Sequence, residues 1–194
     1  LMDFESLNQE KDYSKYIVIM NNIYFAMEGR IEPSALETSK DFLYKILQDS
    51  ENHGLSKNRS VFRLRTSLAN ILSRLGEVNA AAQIYRDNLN SLESLFGTED
   101  QLFVSTSVQF NNFRLRQGEM NYQQVKESNK YLIENLPDRY PPKLDLMEQS
   151  HYAYMDYSLD DALGLSKDIL EMSRDNYGQD HPINVKRESA YLEL

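Results

Sequence analysis

His53, His151 and His181 are the only imidazoles in a chain of 194 residues that has no cysteine. Acid–base, metal or nucleophilic chemistry would centre on them, and the sequence around them does not supply it. No two stand at metal-ligand spacing, and no His-Glu-x-x-His occurs. Asp160 and Asp161 lack the spaced oxygens and the glycine of a calcium loop. They are expected in solvent at a helix start, where negative charge suits the dipole. No Gly-x-Ser-x-Gly, phosphate loop or dinucleotide fingerprint is present. Without thiols, disulfides and thiolate nucleophiles are excluded as well. No enzyme activity, metal or cofactor is expected. His181 reads as part of an Asp180-His181-Pro182 helix start, and His151 as lining of a binding face or, as the second reading, as partly buried polar packing.

The elements that must position any site are helical. Glycine (7) and proline (5) are scarce, and Leu, Ala, Glu, Gln and Asn dominate over β-branched types. The 21 Lys+Arg against 30 Asp+Glu give a net charge of −9, which argues against a general nucleic-acid surface. The most apolar stretch, Tyr16 to Met27, is interrupted by Asn21 and Asn22, so neither a membrane span nor a signal peptide is expected and a cytoplasmic location is. Pro33, Pro137, Pro141, Pro142 and Pro182 all fall between helical segments. Ser34-Ala35-Leu36-Glu37 and Thr98-Glu99-Asp100-Gln101 read as capping boxes, and Asp180 as an N-cap with Pro182 in the first turn. Leu68, Leu72 and Leu75, then Tyr85, Leu89 and Leu92, recur at i, i+4, i+7. The spacing predicts helices at about 10–29, 34–50, 58–75, 78–95, 101–116, 120–135, 143–156, 159–176 and 182–193. Tyr16, Tyr24 and Phe25 are expected in the core face of the first. The start at Leu1-Met2 and the stop at Leu194 inside an apparent helix suggest a domain cut from a longer protein.

The chain repeats. Leu75-Gly76-Glu77 and Gln117-Gly118-Glu119 stand at the same point of two helix pairs, 42 residues apart. Gly76 is followed by Ala81, Ile84, Leu89 and Gly97 at the same offsets at which Tyr157 is followed by Ala162, Leu165, Leu170 and Gly178. A small residue lets the second helix approach the first, apolar residues face the seam, and the last glycine closes the helix in a left-handed cap. The middle unit departs, with Gln123 and Lys126 at the first two of these offsets. Most tyrosines, such as Tyr85, are expected in seams with a wet hydroxyl.

This pattern resembles the tetratricopeptide repeat in its long, kinesin light chain type form, which repeats about every 42 residues and often ends in Gly-x-Asp-His-Pro. Gly178-Gln179-Asp180-His181-Pro182 carries that ending, and Gly97-Thr98-Glu99-Asp100-Gln101 a degraded version. The resemblance covers 58–194 well and 10–57 weakly. It implies an all-α, right-handed α-solenoid of antiparallel helix pairs over residues 1–194, with units at about 10–50, 58–95, 101–136 and 143–177 and a cap at 182–194. HEAT or armadillo repeats have overlapping periods and are the alternative architecture.

The resemblance also implies a concave face lined by the first helix of each pair. On this chain its inward positions are Arg63, Thr66, Asn70, Ser73 and Arg74, then Ser105, Val108, Asn112, Leu115 and Arg116, then Leu144, Met147, His151, Tyr154 and Met155. Asn70 and Asn112 occupy one position in successive units, and Arg74 and Arg116 another. Carboxamides can donate to and accept from the backbone of an extended peptide. Arginine adds forked donors for carboxylates. Arg114 sits where the core usually wants an apolar residue; either it snorkels out or the register slips.

The expected function is a non-enzymatic protein-interaction scaffold that binds a peptide segment, acidic or with a free C-terminus, in the groove. Neither nucleic acid nor membrane is an expected partner. The alternative is an effector- or peptide-sensing regulatory domain of a bacterial transcription regulator or kinase. The segment from Ile183 to Leu194 reads as the start of another unit or as a cap; as a cap, its Ile183, Val185, Tyr191 and Leu192 cover the last seam, and that surface could pair two copies of the domain.

Overall fold

The computed structural model describes residues 33–137 and 141–192. Among them there are helices and no strands: α1 (Pro33–Asn52), α2 (Arg59–Arg74), α3 (Val78–Phe96), α4 (Gln101–Arg116), α5 (Tyr122–Glu134), α6 (Pro141–Met155), α7 (Leu159–Tyr177) and α8 (Pro182–Leu192). The fold is an all-α helical repeat. The helix expected at 10–29, with Tyr16, Tyr24 and Phe25, lies outside the described residues. The chain divides into two compact units, Leu1–Gly97 and Thr98–Leu194.

In the first unit α2 packs against both α1 and α3. It is therefore buried nearly all round, through Val61, Phe62, Leu64, Leu68, Ala69, Ile71 and Leu72. Leu43, Ile46 and Leu47 of α1 are buried on one side of the sequence, and Ala81, Ala82, Tyr85 and Leu92 of α3 on the other. Asn58 starts α2 by accepting from the Ser60 N–H at 2.9 Å. Lys40 of α1 pairs with Glu37 at 2.6 Å and with Glu77, the first residue before α3, at 2.9 Å.

In the second unit α4 packs on α5 and α6, α6 also on α5 and α7, and α7 on α8. Val104, Val108, Ile133, Leu136, Leu144, Leu146, Met147 and Ile169 form one apolar cluster; Leu115, Val125, Tyr154 and Ala162 form another.

Three caps differ from expectation. Helix α1 already runs at Pro33, so Ser34 lies inside the first turn. Asp100, not Thr98, caps α4, accepting from the Leu102 N–H at 2.9 Å. His181, not Asp180, faces the start of α8: its Nδ1 lies 3.3 Å from the Ile183 N–H. Gly97 and Gly178 close α3 and α7 at φ 82°, ψ 168° and φ 89°, ψ 152°. Both have the expected positive φ, but in the extended region open only to glycine rather than in the left-handed helical well.

The irregular middle unit has a simple cause. Helix α3 is capped at Glu77, directly after Gly76, and α7 at Ser158, directly after Tyr157. Helix α5 is capped at Asn121, three residues after Gly118. Counted from the caps, the small-residue position is Ala81, Val125 and Ala162, all fully buried. Gln123 is only the second residue of α5 and stays exposed. Asn121 and Gln124 form a reciprocal capping box that marks the delayed start.

Candidate functional site

Helices α2, α4 and α6 lead their pairs, and α3, α5 and α7 follow. Each pair carries a polar contact at the same place. The Tyr85 hydroxyl donates to Asn70 Oδ1 at 2.5 Å. Asn129 Nδ2 donates to Asn112 Oδ1 at 2.8 Å. Ser166 Oγ lies 3.1 Å from His151 Nδ1. On the following helices these partners are each the eighth residue past the cap, and on the leading helices each stands six before the turn residue Gly76, Gly118 or Tyr157. The apolar stripe of the sequence left this contact unmarked. The Asn121–Gln124 capping signature would have located its middle member.

Around Asn129 the contact grows into a network. Its oxygen accepts from Asn111 at 3.0 Å, its nitrogen also reaches Ser150 at 3.4 Å, and Asn111 donates to Ser128 at 2.9 Å. Asn129 is wholly buried, so these bonds are exchanged for water on folding rather than added to it. Tyr154 shares this environment, and burial pushes its phenol up to about 12.

The expected groove residues thus separate into two groups. Thr66, Val108, Asn112, Leu115, Met147, His151 and Tyr154 are buried. Thr66 accepts from Asn88 at 2.9 Å, and His151 Nδ1 also lies 2.9 Å from the Ala162 carbonyl oxygen. Leu144 is buried too, and Met155 half-buried. Asn70, Ser73 and Ser105 are half-buried, while Arg63, Arg74 and Arg116 are exposed. Tyr85 is wholly buried, so its hydroxyl is not wet. Asn112 and His151 serve seams, each meeting a polar side chain of the following helix.

The charge distribution on the leading helices is uneven. Helix α2 contains Arg59, Arg63, Arg65 and Arg74 and no acid; α4 contains Arg114 and Arg116 and no acid. In a chain of net charge −9 these two helices are purely cationic. Arg65 pairs with Glu51 at 3.4 Å and Arg114 with Glu119 at 3.6 Å. Arg114 also lies over the Phe110 ring at 5.6 Å, so it snorkels and the register does not slip. Among the described residues no ion pair or hydrogen bond engages the guanidinium groups of Arg63, Arg74 and Arg116. Helix α6 differs: it carries Lys143 against Asp145 and Glu148.

At the start of α7, Asp161 accepts from the Tyr122 hydroxyl at 2.7 Å and from Lys126 at 2.6 Å. Lys126, then Tyr122, hold its carboxyl below the usual range. It was expected in solvent with Asp160; only Asp160 is exposed. Tyr122 stacks on Tyr157 with ring centroids 5.6 Å apart. Among the described residues no group of His, Asp or Glu is arranged to hold a metal ion, and no helix is long and apolar enough to cross a membrane.

Residues 63–101 match the family model of the tetratricopeptide repeat. No curated protein sequence matches the chain. Among solved structures, it is similar to the kinesin light chain TPR-like repeats described from Podosopora anserina: 12% identity, TM-score 0.60, covering 93% of this chain and 85% of that one. A second structure, of a point-substituted form of that protein, gives 12% identity and a TM-score of 0.61 over the same shares. BtubC (BKLC) from P. vanneervenii gives 13% identity and a TM-score of 0.53, covering 89% of this chain and 77% of that one. Residues 63–101 thus match the tetratricopeptide repeat, and the chain is similar in fold to tetratricopeptide-like helical repeat proteins.

Proposed function

We propose that the chain binds an acidic peptide segment of a protein partner on the exposed faces of its leading helices. One observation carries the reading: α2 and α4 hold arginines and no acid, while the chain is acidic overall. Exposed guanidinium groups with no internal partner keep their donors for a ligand carboxylate. Arg63 and Arg74 stand eleven residues apart on one helical face, about 16 Å along the axis. An extended peptide covers that distance in about five residues. Asn70 and Ser73 supply half-buried polar groups on α2, and Ser105 supplies one on α4. A free C-terminal carboxylate would be held by the same donors.

The test begins with affinity capture of partners and their identification by mass spectrometry. Binding of the captured partner's segment is then measured for wild type, Arg63→Glu/Arg74→Glu and Arg116→Glu. Loss of about tenfold or more in affinity for either charge-reversed form, with weakening by added salt, is expected. A partner bound equally by all three forms and insensitive to salt would place binding elsewhere on the molecule.

A further inference from the structure

Two buried positions recur along the described helices, and only α8 places a charge at one of them. The sixth residue of each leading helix is buried: Leu64 in α2, Thr106 in α4 and Leu146 in α6. In α8 the same position is Arg187, 8% exposed. The fifteenth residue past the cap of each following helix is also buried: Leu92, Leu136 and, facing α8, Ser173. Leu136 and Leu146 share one apolar cluster. Ser173 and Arg187 instead share a polar one. Arg187 donates through Nε to Glu148 Oε1 at 2.5 Å and through a terminal nitrogen to Ser173 Oγ at 2.6 Å. Ser173 donates to Asn184, which is fully buried and donates in turn to the Gly178 carbonyl at 2.7 Å. Val185, expected to cover the seam, is 59% exposed, and Ile183 is half-buried. The side chains of Tyr191 and Leu192 lie outside those described.

We propose that α8 is a releasable strap, locked onto α6 and α7 by the Arg187–Glu148 ion pair. An apolar seam loses contact area gradually as helices part. An ion pair behaves differently: Arg187 is buried and Glu148 half-buried, so with Glu148 neutralised the guanidinium stays desolvated without its counter-charge. The lock therefore depends on the charge of Glu148. The other charged groups facing it are Asp145 on α6, whose carboxyl is raised by its own burial and by Glu148, and the outer Arg174–Glu188 pair between α7 and α8. That outer pair is solvent-exposed and contributes little to docking. Release would uncover Ser173 and Glu148, a polar dock sized for one helix.

Hydrogen exchange resolved to single helices tests this. Glu148→Gln is expected to raise exchange of α8 amides about tenfold or more, with α4 and α5 unchanged. Arg174→Gln should leave α8 within about twofold of wild type. Ser173→Leu/Arg187→Leu copies the inner seam and should protect α8 as well as α6 and make it indifferent to Glu148→Gln. Equal α8 exchange in wild type and Glu148→Gln would overturn the proposal. So would loss of protection spread evenly over the whole unit, because the ion pair would then be a general stabiliser and not a lock on one helix.

Discussion

Asn129 donates to the Asn112 carboxamide oxygen across 2.8 Å, with both residues buried and neither available to an outside ligand. The repeat of asparagines 42 residues apart is therefore tied to helix pairing, at least in its second member. Asn129→Ala leaves Asn111 and Asn112 without their shared partner. It should cost about 2–3 kcal/mol in urea unfolding. Tyr85→Phe removes one bond without opening a cavity and should cost about 1 kcal/mol. Equal effects for the two would show that the network around Asn129 adds nothing to its single bonds.

The two carboxamides also bear on how binding is tested. Asn112→Ala should lower stability without changing ligand affinity measured on the folded fraction, whereas Arg116→Glu should do the reverse. Calorimetric binding alongside thermal unfolding separates the two. An affinity loss for Asn112→Ala at full folding would return that residue to the binding face.

Glycine position decides the sign of substitution. Gly97 and Gly178 hold φ near +82° and +89°, with nothing within 4 Å of an added Cβ, so strain there is purely backbone. Gly97→Ala or Gly178→Ala should cost about 1–3 kcal/mol. Gly164 is an exposed interior residue of α7, equally open and without positive φ. Gly164→Ala should stabilise by about 0.5–1 kcal/mol. Denaturant midpoints measure all three.

Two pH limbs follow from the second unit. The Asp161 carboxyl is held low by Lys126 and Tyr122, so its contribution is present above the unfolded value of about 4 and fades as pH falls below it. Asp161→Asn should flatten that acid limb. Tyr154 is raised to about 12 by burial, so its unfolded phenol ionises first. Stability should fall as pH rises beyond about 10, and less so in Tyr154→Phe. Urea midpoints across pH, with phenolate absorbance, report both.

Apolar periodicity, prolines and the recurring glycines were enough to place every described helix within a few residues and to indicate a tetratricopeptide-like repeat. These signals are local: helix period and breakers act within a few residues of chain, so they are written in the chain itself. The cationic character of α2 and α4 could also be read there. What only the tertiary structure decided was which face of each helix meets a neighbour. A delay of two residues in the α5 cap moved Val125 into the small-residue position and put Gln123 outside. The same geometry turned Asn112 and His151 inward and left Arg63, Arg74 and Arg116 outward. It also gave α8 an ionic anchor to α6. An asparagine, histidine or arginine is compatible with solvent and with a buried seam alike. Which it occupies depends on whether a partner from a distant part of the chain arrives within hydrogen-bonding distance, and that is settled by packing.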